Sequence, residues 1–484
     1  GGLVALVLLA LLAFGLWAAS PGSLAQAIGW GQSFMARQGP AAGTLTTEGV
    51  QGSLFAGGQI GQLRWQRDGL TVEASGVRIG LSRWFWADAL LGRGVRLSQL
   101  DIDRLRIDDR RPPQPPKPPE PLQPVTLPLP VTLPWSIGVL EFAGGAQTLT
   151  LSELEGEYRY RTADSAWRLG VADAHQLDLK NLRVAGGRYE AQAVLGAQAP
   201  MPLRVDARGE VQATVPGGAS VALQAVAKLA GTLATQDAAL DASASLRSSD
   251  AATAAQAPTL EATARLRPWR AQPVDTVDAT MERLDLAALW PQAPATLLSG
   301  TVQARPDGAD TWRAALRITN AASGPADQQR LPAERIEADL EQRGARWTLS
   351  RLDARLGGGR LQGQGRFEPG SSAPAAASSS SSPARWHGDV TATSVNPSLL
   401  WSRIAPAALD GSAQARTEDT GAGEAIALSA RIQPSGTQPR AGALAGLRLR
   451  ELDVKGRWRP APTDMAQGVL ELRSLRLLAA DATL

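Results

Sequence analysis

The chain has 484 residues, 44% of them hydrophobic, with a formal net charge of +3, enough length for two or three ordinary domain cores. Its basic residues are nearly all Arg, scattered singly among acids, with Lys only at 117, 180, 228 and 455. That leaves no basic stripe to hold a phosphate backbone and argues against nucleic acid as a partner. The absence of cysteine excludes a disulfide framework, a CxxC redox pair and Cys-based zinc sites together.

Residues 1–19 carry no charge, and Leu3 to Trp17 are apolar apart from Gly15. A helix of that length spans nearly ~30 Å at ~1.5 Å per residue, which matches the hydrocarbon core of a bilayer. Residues 1–20 are therefore predicted to be a transmembrane anchor, with Leu3, Leu8, Leu12 and Phe14 in lipid and Trp17 at the interface. Ala25-Gln26-Ala27 leaves a cleaved signal peptide as the alternative, although the apolar run exceeds the usual signal core of ~7–15 residues. The sequence opens on Gly1, and cytosolic residues are expected before it. Residues 21–44 read as a juxtamembrane segment.

Beyond the anchor the dominant pattern is alternation, which a strand with one apolar face requires. In the segment 45–111, Leu63 and Trp65 alternate with polar residues. After Asp68-Gly69 come Leu70, Val72 and Ala74, then Val77, Ile79 and Leu81, followed by Val95/Leu97, Leu100/Ile102 and Leu105/Ile107. Later runs include Leu169/Val171, Leu203/Val205, Val221/Leu223, Leu240 to Leu246 and Leu260 to Leu266. Short helical pieces are expected near 284–290 and 397–404. Many short strands with Gly, Asp or Asn between them give a mainly β fold.

Two segments interrupt the pattern. Residues 112–134 hold eleven prolines and should form extended polyproline II, either an SH3-type ligand or, in an envelope-like protein, a stiff spacer. Residues 370–384, rich in Ser, Ala and Pro, read as a disordered insertion within a repetitive segment 135–484.

Internal repeats carry most information about architecture. The stretch from Leu284 to Arg305 returns from Val395 to Arg416, with Leu289/Leu400, Trp290/Trp401, Leu298/Leu409 and Gly300/Gly411 coinciding. A helical turn and a Pro-bounded return into a new strand explain that residue choice. Arg183-Val-Ala-Gly-Gly-Arg-Tyr189 and Arg355-Leu-Gly-Gly-Gly-Arg-Leu361 form a second pair, whose glycines signal a hairpin or bulge. Trp458, Leu470, Leu472, Leu475 and Leu477 begin a further copy, and the natural chain is expected to continue past Leu484. Stacked repeats with neighbour-only contacts make a quasi-one-dimensional protein.

The apolar face so produced is either a dry core, sealed by a second sheet or by closure on itself, or a trough left open to a ligand. Leu63, Trp65, Leu70, Val72, Val77, Ile79, Leu97, Ile102, Leu169, Val171, Leu203, Val205, Val221 and Leu223 are the candidates for lining it. Burying one CH₂ is worth ~0.8 kcal/mol, so a 16-carbon acyl chain leaving a membrane loses on the order of 10 kcal/mol. A continuous trough restores most of that at every position without any catalytic group.

Sites for chemistry are not evident. Asp101, Asp103, Asp108 and Asp109 interleave with Arg104, Arg106, Arg110 and Arg111, the pattern of a self-neutralised solvated face and not of a Ca²⁺ loop. Gly357 to Gly365 departs from G-x-G-x-x-G spacing. His175 and His387 lack carboxylate or Cys partners at ligand spacing and read as exposed loop histidines. No enzyme activity, cofactor or metal is expected.

Taken in order, several weak motifs resemble the TamB family, inner-membrane subunits of translocation and assembly modules, within the wider AsmA-like group. They are the N-terminal anchor, Gly49-Val-Gln-Gly-Ser-Leu54 and Trp86-Ala-Asp-Ala-Leu-Leu-Gly92. After these come Val95 to Ile107 with its Pro-rich excursion, Leu127-Pro-Leu-Pro to Trp135, the Leu-Trp-Pro turn with Gly300, and the Gly-Gly-Gly-Arg-Leu motif. The resemblance covers the chain and implies a periplasmic β-groove ("β-taco") with an apolar interior. It implies phospholipid passage towards the outer membrane, support of outer-membrane protein assembly, and partnership with the outer-membrane barrel TamA. The family's TamA-contacting domain falls outside this sequence. AsmA-like proteins are similar to eukaryotic bridge-like lipid-transfer proteins. A secreted β-solenoid or adhesin rod is the main alternative. A transmembrane β-barrel is disfavoured by the N-terminal apolar run and the scarcity of Tyr, and a β-helix enzyme by the lack of a catalytic constellation.

Overall fold

The computed structural model describes residues 16–38, 43–111, 119–144, 147–162, 173–184, 186–214, 220–250, 257–270, 272–289, 293–308, 311–369, 384–420, 423–436, 449–461 and 464–479. These form 24 strands of one mostly antiparallel sheet, with few helices. The predicted anchor residues Leu3, Leu8, Leu12 and Phe14, the candidates Leu169 and Val171, and most of the insertion 370–384 lie outside the described residues. Among the described residues, no helix is long and apolar enough to cross a membrane. The chain divides into two compact units, taken separately below.

The first unit covers Gly1–Val211, Gln224–Ala242 and Arg267–Pro273. Helix α1 (Ser23–Arg37) starts after Gly22, whose φ of 98° makes a turn that suits glycine. Buried Ser23 pins its start: its hydroxyl donates to the Ala18 carbonyl at 2.9 Å and accepts the Leu54 N–H at 3.0 Å. Ile28 packs on a small core of Ile60, Ala74 and Val77. The strands beneath are β1 (Thr44–Glu48), β2 (Gln51–Ser53), β3 (Gly57–Arg67) and β4 (Leu70–Leu81). A six-residue helix, α2 (Phe85–Leu90), leads into β5 (Val95–Asp109).

From β5 the chain does not turn back at once. It returns to run β6 (Val131–Gly144) parallel to β5, Val95 opposite Val131, and a parallel pair needs a crossover. The Pro-rich segment supplies it. That strand begins at Val131, inside the span expected to be spacer, and Pro134 sits in the ladder opposite Glu157. Antiparallel hairpins then continue through β7 (Gln147–Arg161), β8 (Ala174–Val184), β9 (Gly187–Gly196) and β10 (Pro202–Thr214). The end of β10 past Val211 belongs to the second unit, and the following β11 (Ser220–Thr232) and β12 (Leu240–Ser248) are likewise divided between the units.

The second unit covers Gln212–Leu223, Ser243–Leu266 and Val274–Leu484. Its long ladder is an uninterrupted antiparallel meander. The strands are β13 (Thr259–Leu266), β14 (Val274–Leu284), β15 (Leu298–Pro306), β16 (Thr311–Asn320), β17 (Ala333–Arg343) and β18 (Arg346–Leu356). Then come β19 (Gly359–Glu368), β20 (Arg385–Val395), β21 (Leu409–Thr420), β22 (Gly423–Pro434), β23 (Leu449–Ala461) and β24 (Asp464–Ala479). The helical pieces expected near 284–290 and 397–404 are α3 (Leu286–Leu289) and a 3-10 turn at Pro397–Leu399.

Both glycine motifs are two-residue hairpins. Val184 pairs with Gly187 and Leu356 with Gly359. Gly357 and Gly358 have φ of 58° and 73°, and Gly186 has 74°, the left-handed conformation that a tight primed turn needs.

Candidate functional site

The register of the second unit separates the two faces of the sheet along the middle of its strands; only towards the strand ends do polar side chains such as Asn320 and Gln342 enter the apolar side. Opposite residues on adjacent strands share a face. From β13 to β24, one row reads Leu260, Met281, Gly300, Ile318, Ile336, Ala354, Leu361, Ala392, Gly411, Ile432, Leu452, Leu477. A parallel row runs from Ala262 through Val302, Leu316, Leu352 and Val390 to Leu475, and a third from Ala264 through Ala314, Leu340, Leu349 and Leu428 to Leu472; neither contains a polar side chain. At ~4.8 Å per strand each row is roughly 50 Å long, and rows two residues apart lie ~7 Å from one another.

The other face is as consistently polar. Its corresponding row is Glu261, Thr280, Thr301, Arg317, Glu337, Asp353, Gln362, Thr391, Ser412, Arg431, Asp453, Arg476. Ion pairs run through it, Arg351 to Glu337 at 3.0 Å and Arg431 to Asp453 at 3.1 Å. Hydrogen bonds from Arg360, with its charge, hold the Asp353 carboxyl down to about 2.

The apolar side chains are half-buried and not enclosed. Of the side chains in the three rows, only Ala304 and Ala354 are buried, and Leu470 beside them on β24 is 58% exposed. A core sealed under a second sheet would bury most of the large ones. Near the end of the strands, a row across β16 to β20 is aromatic at every strand but β17, with Trp312, Trp347, Phe367 and Trp386 interrupted by Gln342, and Phe367 and Trp386 lie 4.2 Å apart.

The first unit repeats the separation on a shorter ladder. Leu45, Trp65, Val72, Ile107, Phe142 and Leu149 form one apolar row, and Leu63, Ala74, Leu105, Leu140 and Leu151 the next. Between them, on the opposite face, lie Arg64, Glu73, Arg106 and Glu141. The predicted lining residues therefore fall into distinct settings. Trp65 and Val72 share a row, and Leu63, Val77, Ile79 and Ile102 form one cluster against Ile28 of α1. Leu97 faces Leu81, while Leu70 lies between Arg67 and Asp109, where the apolar rows end. Leu203 and Val205 oppose Leu195 and Ala193. In the second unit, Val221 and Leu223 are 4% and 1% exposed, so these two are enclosed and open to no guest.

The Pro-rich segment crosses the apolar side of the first unit. The Val125 N–H donates to the Ala197 carbonyl and the Leu122 N–H to the Leu233 carbonyl, both at 3.1 Å. His175 Nε2 lies 2.7 Å from the Val125 carbonyl, which can only accept, so Nε2 carries the proton. The Tyr158 hydroxyl is 2.7 Å from Nδ1 and donates to it. Burial raises the Tyr158 phenol above its ordinary value, which keeps that donor protonated. His175 stands in one row with Val131, Tyr160, Leu195 and Leu203, on the apolar face.

Two sequence expectations need correction here. Neither histidine is in a loop: His175 is a half-buried β8 residue, and His387 lies on β20. His387 has a carboxylate partner too, Asp389 at 3.2 Å, because residues two apart on a strand share a side. The Asp/Arg run of β5 is salt-bridged as expected, Arg78 with Asp103 at 2.9 Å and Arg110 with Asp108 at 2.8 Å. Sequence reading missed the strap across the apolar rim and the lining residues Leu316, Ile336 and Leu340. Alternation in Trp312-x-Ala-x-Leu-x-Ile318 and Ile336-x-Ala-x-Leu340 could have found the latter.

No family model, no curated protein and no solved structure matches this chain.

Proposed function

We propose that the chain is a lipid conduit: its apolar face takes the acyl chains of phospholipids and lets them pass along the ladder, without catalysis. The observation that carries this reading is the set of three apolar rows, each crossing twelve strands and lined by half-buried Leu, Ile and Val. A face of that kind is costly in water unless something covers it. Because the same residue types recur strand after strand, an acyl chain meets nearly the same free energy at each step, about 0.8 kcal/mol per CH₂ withdrawn from water. Movement then needs no large barrier to be crossed.

The resemblance to TamB-like proteins extends the reading. In it the uncharged residues 1–20 hold the protein in a bacterial inner membrane as a single-pass anchor, and the β-groove lies in the periplasm. The conduit serves outer-membrane biogenesis and supports outer-membrane protein assembly, and the outer-membrane barrel TamA is the partner of the whole protein.

Photocrosslinking amino acids at Leu316, Leu352 and Ile432 on the apolar face, and at Arg317, Asp353 and Arg431 on the polar face, test the proposal in cells. Phospholipid captured at the first set and not at the second is the expected result. Equal capture on both faces, or none at Leu352, would refute it.

A further inference from the structure

One end of the first unit concentrates exposed apolar side chains away from the sheet face. Leu16, Phe55, Trp84, Leu90 and Leu91 are 68%, 53%, 62%, 84% and 63% exposed. Single exposed apolar residues are ordinary on a protein surface, but a cluster marks an interaction site. Hydrogen bonds tie the loops that carry these five together. The Phe55 N–H donates to the Ala18 carbonyl at 3.1 Å, and the Trp86 indole to the Leu54 carbonyl at 3.0 Å. The Leu81 N–H reaches the Ala56 carbonyl at 3.3 Å. Residues 16–22, the β2–β3 loop and α2 thus form one surface.

The chemistry of that surface fits a membrane. Charge is absent from Leu16 through Ala36, and the residues before Leu16 are uncharged as well. In the sequence around α2, Arg83, Arg93 and Arg96 stand against Asp88 alone. The Arg83 guanidinium lies 5.3 Å from the Trp84 ring centre, and indole beside guanidinium is the pairing favoured at the headgroup level. A soluble partner would leave the uncharged chain before Leu16 unexplained; a bilayer accounts for it and for the arginines together.

We infer that this end of the first unit docks on an anionic lipid bilayer, inserting Phe55, Trp84, Leu90 and Leu91 into the headgroup boundary with the arginines on lipid phosphates. The docking surface is distinct from the apolar sheet face, and the inference holds whether or not that face carries lipid.

The 484 residues include no cysteine, so Leu90→Cys, Phe55→Cys and, on the polar face, Glu73→Cys can each carry one environment-sensitive fluorophore in this chain. The vesicles are phosphatidylcholine with one fifth phosphatidylglycerol, containing lipid spin-labelled either near the headgroup or near the chain end. Labels at 90 and 55 should shift to the blue and be quenched severalfold more by the shallow spin label than by the deep one, while the label at 73 does not respond. A label at 90 that stays in water while the protein floats with the vesicles overturns the proposal. So does a blue shift that grows with protein concentration in the absence of vesicles, which would show a second copy covering the patch.

Discussion

Asp285 and Asn396 hold the same two backbone groups in place in successive copies of one turn. Asp285 Oδ1 accepts the N–H of Ala287 at 3.1 Å and of Thr296 at 3.0 Å. Asn396 Oδ1 accepts the N–H of Ser398 and of Ala407, each at 3.2 Å. Every partner in the second set lies 111 residues after its counterpart in the first. Arg283 and Ser394, with φ of 49° and 55°, are related in the same way, and each sits at a register shift in its ladder. The repeat is thus conserved as a hydrogen-bonding scheme, with Asp and Asn interchangeable because either offers a short side-chain oxygen.

That equivalence sets an expectation for substitution. Asp285→Ala leaves two backbone N–H groups without their acceptor and should destabilise its turn by about 1–2 kcal/mol. Asn396→Ala should do the same to the second copy. Exchanging the residues, Asp285→Asn or Asn396→Asp, keeps the acceptor and should cost under about 0.5 kcal/mol. Amide hydrogen exchange at residues 287 and 296, and at 398 and 407, measures both effects locally. A loss of protection in Asp285→Asn as large as in Asp285→Ala would refute the shared role.

Much of this fold is legible from local pattern. Alternation in Leu63/Trp65 and in Leu260/Ala262/Ala264 reports a strand with one apolar face because side chains alternate at every residue. Glycines at 357 and 358 report a tight hairpin because few residues adopt positive φ. The bulges are harder to read. Met281 and Leu284 are three residues apart, yet both are apolar and Leu284 is 4% exposed; a residue at positive φ, Arg283, resets the alternation between them. Non-local pairing is silent in the sequence. Nothing in Pro112–Pro134 tells that β6 will run parallel to β5, or that Val125 will lie over His175. His175 alternates with Leu177 and Leu179, a strand signal that is hard to read because a polar imidazole heads it on the apolar side.

Glycine at the β18–β19 hairpin is needed for two different reasons. At Gly358 only the backbone angle matters, since the nearest atom to an added Cβ is Leu399 Cδ1 at 3.6 Å. At Gly357 a Cβ would also stand 2.8 Å from the Asn396 carbonyl. Gly358→Ala should therefore cost about 1–2 kcal/mol, the usual penalty of the left-handed region for an L-residue. Gly357→Ala should cost clearly more, and Gly358→Asn least. Chemical denaturation of the three variants ranks them; an order with Gly358→Ala worse than Gly357→Ala would contradict the backbone clash.

His175 is expected to act as the clasp of the Pro-rich strap. In His175→Ala the Val125 carbonyl loses its donor and Tyr158 its acceptor. At about 1 kcal/mol for a hydrogen bond, exchange of the Val125 and Leu122 amides should quicken roughly fivefold. Amides of β6, held by their own ladder, should keep their protection. Tyr158→Phe removes only the contact to Nδ1 and should have the smaller effect. Unchanged exchange at residue 125 in His175→Ala would show that its bond to Ala197 alone secures the strap.

Acid should loosen two identifiable carboxylate–arginine pairs, one on the polar face of the second unit and one at the end of β5, where the apolar rows of the first unit stop. Hydrogen bonds from Arg360 depress the Asp353 carboxyl to about 2, and those from Arg111 do the same for Asp109. In an unfolded chain an aspartate titrates near ~3.9. A carboxyl whose folded value is the lower one binds its proton more readily when unfolded, so its contribution to stability is complete above about pH 4 and fades as the pH falls through about 2. The difference in melting temperature between the parent protein and Asp353→Asn should accordingly be constant from pH 5 to pH 7, shrink between pH 4 and pH 2, and disappear below that. High salt should reduce it at every pH, since the pair is at the surface. Thermal scans across that range decide the matter: a difference that persists unchanged at pH 2 would mean that the Asn side chain, and not the lost charge beside Arg360, is responsible.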